Sequence, residues 1–402
     1  MLLPIRLNSV NSSELQPGTT ALLGTTRKVN LPRVWGLEEI LVFVSFTTDS
    51  TAPTAGTSPD KWLNLLKRVN LSINDGIQPR TVVDFTGPGL LEYAVSAGLN
   101  LDAATLAVCN AAPLASTTYR ICYRIPLVHP MVGEPLRTRM LLPIHNHPQD
   151  PILTLEFATA AEVYAANAPT LVTSEVVLVQ REINPLHPYN AKVMNEGGFI
   201  PFDLMETPFT IGTGVSGEQR FSIPTPGAYA NLLCRQYLGG STVTRAVLDA
   251  TTTIGSETKW RLETGGTVIR EWRWKYLQAI NEFSKPLTGL GQAYSSIFTG
   301  ASNGGSATVT TVYQANNPRP GSYTLASGTA FMPAATAMLD FLTDGLDSAT
   351  ELGSLLDCNV PFNQGLKMEL IGSVASVATN ASTLYIGGHR YYGDLSRWKA
   401  IK

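Results

Sequence analysis

LLPIHNHPQDPILTLEFA, residues 141–158, is a proline-closed loop that runs into a short alternating strand. Leu153, Leu155 and Phe157 fall on one face of that strand, Thr154 and Glu156 on the other. A second strand follows at 175–183, EVVLVQREI. The arrangement returns near the C-terminus: LKMEL at 366–370, a connection rich in Ala, Ser and Thr, then LYIGGHRYY at 384–392. Two hairpin-like units of one design predict a β-rich module built twice. Each pair is expected to supply the last two strands of its own eight-stranded barrel.

Working outward, TYRICYRIPL (118–127) alternates cleanly, with Tyr119, Ile121, Tyr123 and Ile125 inward and Arg120, Cys122 and Arg124 outward. WGLEEILVFVSFTT (35–48) is apolar on both faces, Ile40, Val42, Val44 and Phe46 on one and Leu41 and Phe43 on the other, so it is expected to be buried on both. Residues 1–33 read as an arm and a first strand with a turn at Pro17-Gly18, and 51–60 as a loop. Leu65–Asn74 reads as a strand closed by the turn Asn74-Asp75-Gly76. Gly89–Leu99 reads as a short helix with Leu91, Val95 and Leu99 on one face.

Asn184–Gly198 is the linker candidate. It divides the chain into a first barrel with its arm, 1–190, and a second, 191–402. A new strand begins at Phe199, and 220–237 continues in β-type residues around Pro224 and Pro226. Residues 239–322 form a long Gly/Ser/Thr-rich excursion. Within it TVIREWRWKYLQAINEF (267–283) has helical spacing at Ile269, Trp272, Tyr276, Ile280 and Phe283. Ser322–Pro333 reads as a strand at the same relative place as 118–127. The fold class predicted is all-β: two jelly-roll barrels in tandem with a short helix in each half.

Composition narrows the function. Hydrophobic residues make up 44% and charged residues only 15%, against roughly 25% charged in ordinary soluble domains. That suits faces that meet other protein. A net charge of −2 argues against a sequence-specific nucleic-acid binder held by a basic stripe. Cys109, Cys122, Cys234 and Cys358 are widely spaced and read as small apolar residues in strands. MLLPIRLNSV does not have the pattern of a signal peptide, and no apolar run is long enough to span a membrane as a helix. The glycosylation-type tripeptides at Asn11, Asn70 and Asn380 read as chance matches.

No catalytic, cofactor-binding or metal-binding residue is expected. His145-Asn146-His147 fits neither a cupin site, which would need Gly at Arg139 and Glu at Pro151 or Ile152, nor a complete metal set. It reads as plain loop. His129, His187 and His389 stand singly beside Pro or Gly and read as structural. Gly304-Gly305 lacks the Lys or helix of a phosphate loop, and no nucleophile motif occurs. Arg270, Arg273 and Lys275, interleaved with Trp272 and Trp274, suit a helix packed on its barrel, a membrane-surface helix or a single-strand nucleic-acid platform. Glu38-Glu39 reads as the exposed or interface end of a strand.

This order of pieces resembles the double jelly-roll major capsid proteins of tailless icosahedral viruses, in particular the tectivirus-like, membrane-containing bacteriophage type. YRIPL (123–127), the proline-bearing loop and ILTLEFA (152–158) carry the likeness. Residues 175–183 look like the last strand of the family's first barrel, FIPFDL (199–204) like the first strand of its second, and WGLEEILVFVSF like an early strand. The arm is shorter than in some members and has no amphipathic helix pattern. The resemblance implies a non-enzymatic structural subunit of the virion that self-assembles as pseudo-hexameric homotrimers into the capsid shell. It implies no cofactor. Partners would be neighbouring trimers, minor capsid or vertex proteins and, in the membrane-containing type, an internal membrane. The alternative class is a carbohydrate-binding β-sandwich, which would show exposed aromatics on one sheet face.

Overall fold

The computed structural model describes residues 5–10, 22–33, 35–53, 60–74, 78–97, 114–130, 136–164, 170–184, 199–215, 217–224, 226–239, 259–273, 307–310, 322–325, 336–341, 356–357, 368–374 and 380–392, with isolated positions between them. It divides into two compact units, Met1–Met205 with Asp347–Gly353 and Gly393–Lys402, and Glu206–Leu346 with Ser354–Tyr392.

The first unit has eight strands: β1 (Ile5–Val10), β2 (Thr26–Asn30), β3 (Gly36–Thr48), β4 (Leu66–Asn74), β5 (Pro79–Thr86), β6 (Thr118–Pro126), β7 (Ile152–Phe157) and β8 (Leu171–Ile183). They form two antiparallel layers, β1-β8-β3-β6 and β2-β7-β4-β5. The second unit repeats the plan with β9 (Phe202–Ile211, which spans the division), β10 (Gly217–Ser222), β11 (Asn231–Leu238), β12 (Lys259–Thr264), β13 (Thr267–Arg273), β14 (Thr336–Asp340), β15 (Met368–Val374) and β16 (Ser382–Tyr391). Its layers are β9-β16-β11-β14 and β10-β15-β12-β13. In both units the first strand lies beside the eighth, then the third and sixth; the second lies beside the seventh, then the fourth and fifth. One topology occurs twice, and it is the jelly roll.

The expected strand pairs are therefore not hairpins. β7 and β8 lie in opposite layers, as do β15 and β16. The connection from β7 to β8 crosses the end of the sandwich and carries a one-turn helix, Ala160–Val163. Thr159 caps it: the Glu162 N–H donates to Thr159 Oγ1 at 3.4 Å, and the Thr159 N–H donates to Glu162 Oε2 at 2.8 Å. Lys67 on β4 ties Glu162 (3.0 Å) to Glu156 (3.1 Å) across the same end. Thr159→Ala should cost about 1 kcal/mol of stability in equilibrium denaturation.

Alternation builds the core. Val29, Leu153, Leu71 and Val83 are opposite one another on β2, β7, β4 and β5, and all are buried. The facing layer contributes Ile40, Val42, Val44, Val176, Leu178, Ile121 and Tyr123. At one end Phe46, Trp62, Tyr119 and Tyr164 form an aromatic cluster with centroids 4.8–5.8 Å apart. The helix expected at 89–99 spans Gly87–Ser96, with Leu90, Leu91, Tyr93 and Ala94 all buried.

Three expectations change in the second unit. Residues 267–273 are strand, not helix: Gly265 and Gly266, at φ +55° and +82°, close a two-residue turn that returns β13 along β12. The β-branched run Thr267-Val268-Ile269 favours extended backbone, and Trp272 stands directly opposite Trp260. No helix occurs among the described residues of that unit. Ser322–Leu325 pairs with Ala307–Thr310, and the counterpart of β6 is β14. The rest of 267–283, with Trp274 and Lys275, and also Pro17-Gly18, Gly304-Gly305, Cys109, Cys358 and most of the excursion lie outside the described residues.

Candidate assembly surface

In the first unit the two layers differ on the sides turned away from the core. On β2-β7-β4-β5 the outer residues are Lys28, Thr154, Asn70 and Asp84, opposite one another across the sheet, followed by Thr26, Glu156, Arg68 and Thr86. Arg68 is paired with Asp84. This is a solvated face. On β1-β8-β3-β6 the outer residues include Ser9, Val179 and Leu41 in one row and Val177, Phe43 and Cys122 in the next. Leu41, Phe43, Val177 and Val179 are half-buried, and Leu7 and Ile5 on the edge strand are 68% and 44% exposed. At the far edge the Cys122 N–H donates to Thr105 Oγ1 at 2.7 Å, and Arg120 reaches Asp102 at 3.3 Å.

One end of the apolar face is framed by ion pairs. Glu38 sits at a β-bulge between Leu37 and Glu39 and takes up both Arg137 and Arg181, the latter at 2.7 Å. Arg124 holds Glu39 with two bonds, at 2.7 and 3.1 Å. Arg6 donates to Glu182 at 2.6 Å and lies 4.4 Å over the Trp35 ring. All three carboxylates are buried, so Glu38-Glu39 is not an exposed strand end. Neighbouring arginines neutralise the pair within the chain. A double Glu opening an apolar strand, opposite arginines on two other strands, was the available signal.

The second unit's layer β10-β15-β12-β13 is ionic outside. Arg220 bridges Glu369 (2.9 Å) and Glu263 (3.3 Å), Arg261 bridges Glu263 (2.6 Å) and Glu218 (2.8 Å), and Lys259 meets Glu271 at 2.9 Å. On its edge, Arg270 lies 5.3 Å over Trp272, which packs inward, while Val268 and Ile269 are exposed. The Arg/Trp stretch is thus a strand with one indole in the core.

The remaining sequence candidates are scattered. His145 packs against Phe199 at 5.9 Å, and burial pushes its imidazole below the usual range. Arg33 ties the 145–150 loop through the His147 carbonyl and Asp150. His129 and His389 are buried in different units, and His187 lies just beyond β8. Among the described residues no group of three His, Cys, Asp or Glu could hold a metal ion, and no aromatic side chain is exposed. The latter does not favour the carbohydrate-binding alternative.

Burial raises the Cys122 thiol to about 12 and pushes Cys234 up as well. Both should resist a thiol reagent at pH 8 in the native protein and react on unfolding. The unfolded thiols ionise above about pH 9 while the folded ones keep their protons, so their contribution to stability is complete below pH 9 and falls as pH rises past it.

No protein-family model matches the chain, and no curated protein matches it. Solved structures do. The chain is similar to a chain in the atomic structure of Sulfolobus turreted icosahedral virus, at 16% identity and TM-score 0.57, over 96% of this chain and 90% of that one. It is similar to the crystal structure of the STIV MCP, at 16% identity and TM-score 0.54, over 96% of both chains. It is also similar to the major capsid protein P2 of bacteriophage PM2, at 12% identity and TM-score 0.50, over 97% of this chain and 98% of that one. Together with the repeated strand order, these likenesses define the class: the chain is a double jelly-roll protein, with the fold of viral major capsid proteins.

Proposed function

We propose that the chain is the structural subunit of an icosahedral virus shell, a major capsid protein that assembles as a homotrimer with a hexagon-like outline. The observation that carries this reading is the repeated topology, two complete jelly rolls in one chain, a fold it has in common with solved viral capsid proteins along nearly its whole length. The barrels are assigned to 1–190 and 191–402, with 239–322 as an outward excursion. Two barrels per chain offer two unlike flanks. A head-to-tail contact between unlike flanks closes after a whole number of copies, and closure at three places six barrels in a ring. Further partners would be neighbouring trimers, minor capsid or vertex proteins and an underlying membrane. The role is mechanical, with no residue assigned to catalysis.

Light scattering on the soluble protein should give three times the 43.3 kDa chain mass, and negative-stain microscopy should show hexagon-like tiles. A well-folded monomer at micromolar concentration that forms no trimer would sink the reading.

A further inference from the structure

We infer that the outer face of β1-β8-β3-β6 is the seam of the assembly, covered by a second copy of this chain. The inference rests on the shell-subunit reading and deepens it by assigning one face. The first barrel has two outer faces, and only one has a reason to be covered. The row Lys28, Thr154, Asn70, Asp84 is polar from strand to strand. Val179-Leu41 and Val177-Phe43 are apolar pairs on the two central strands, flanked by Ser9 and Arg124 in the first row and by Cys122 in the second, and Leu7, 68% exposed, stands one row on, opposite Arg181. Solvent alone gives no reason for valine, leucine and phenylalanine at alternate outward positions of two adjacent strands.

The chemistry of the frame selects the occupant. Arg124, Arg137, Arg181 and Arg6 are spent on Glu39, Glu38 and Glu182. They are not a row of unpaired cations awaiting phosphate or an anionic lipid surface. The face asks for an apolar protein surface. The sheet that carries it is large enough for one: at about 3.3 Å per residue and about 4.8 Å between strands, the four strands, polar rows included, cover a flat area of roughly 650 Å². One partner in a standard stable interface contributes about 800 Å². A subunit that tiles a shell meets copies of itself first, and this face is one of the two unlike flanks that each chain brings to a head-to-tail ring.

The test is the pair Leu41→Asp with Val179→Asp, compared with Thr154→Asp on the polar face. Analytical ultracentrifugation reads the oligomer, and circular dichroism and melting temperature read the fold. Carboxylates at the centre of an interface should weaken the trimer by about a hundredfold or more, giving a folded monomer, while the Thr154 variant stays trimeric. A Leu41/Val179 variant that trimerises like the wild type overturns the seam and leaves the shell reading standing. A wild type that is monomeric overturns the shell reading itself. Should the double Asp variant fail to fold, hydroxyl-radical footprinting of wild-type Phe43 and Leu7 decides. Protection in the trimer relative to dilute protein is expected, and equal labelling overturns the seam.

Discussion

Arg235→Ala is expected to destabilise the second barrel by about 3–5 kcal/mol, because it leaves a buried carboxylate without its cation. Arg235 on β11 and Glu206 on β9 have side chains only 1% and 2% exposed, and they meet at 2.7 Å. A second guanidinium nitrogen donates to Tyr237 Oη at 2.6 Å, and the guanidinium lies 4.6 Å over the Tyr385 ring. β16 runs between β9 and β11, so the pair reaches over it and pins three strands in order. A buried ion pair of this kind adds little net stability, because desolvation offsets the attraction, whereas removing one partner strands the other charge. Glu206→Gln should cost less than Arg235→Ala, since the neutral amide still accepts a hydrogen bond. Arg235→Met combined with Glu206→Leu should fall within about 1 kcal/mol of wild type. Guanidinium denaturation of all four proteins gives the comparison. A cost below about 1 kcal/mol for Arg235→Ala would mean that water reaches Glu206.

How much of this was legible in the sequence depends on what each residue had to reveal. Period-two alternation exposed the core strands directly: Leu153, Leu155 and Phe157 are buried, and so are Tyr119, Ile121, Tyr123 and Ile125. It also showed that 35–48 is apolar on both sides, which is the basis of the candidate seam. Alternation says nothing about which sheet a strand joins, so 152–157 and 175–183 looked like a hairpin when they belong to opposite layers. The Thr267–Arg273 error has a related cause. Ile269 and Trp272 are three apart, a helical spacing, but Gly265-Gly266 sets the local geometry before that spacing can act. Arg235 and Glu206 stayed invisible because their meeting depends on strand order, which no local pattern encodes.

Trp260→Ala is expected to cost about 3–5 kcal/mol, and its partner in that effect is a glycine. Trp260 on β12 is fully buried in the second barrel's core, near-parallel to Phe221 at 6.4 Å. In register it faces Gly372 on β15. A Cβ built on Gly372 would lie 2.2 Å from Trp260 Cδ2 and 2.4 Å from Cε2 and Cε3. The indole therefore lies flat across the glycine backbone, which only a residue without a side chain permits. Gly372→Ala should push the ring off its seat and cost about 1–3 kcal/mol or more through overpacking. In the Trp260→Ala background the same methyl enters vacated space. There the substitution should be neutral, or stabilising by about 0.5 kcal/mol, as alanine replaces glycine in a strand. The double-mutant cycle thus predicts strong coupling between the two positions, measured by equilibrium denaturation of the four proteins. Additive costs would show that the indole does not rest on Gly372. Coupling of the predicted sign would show that the indole rests on the Gly372 backbone.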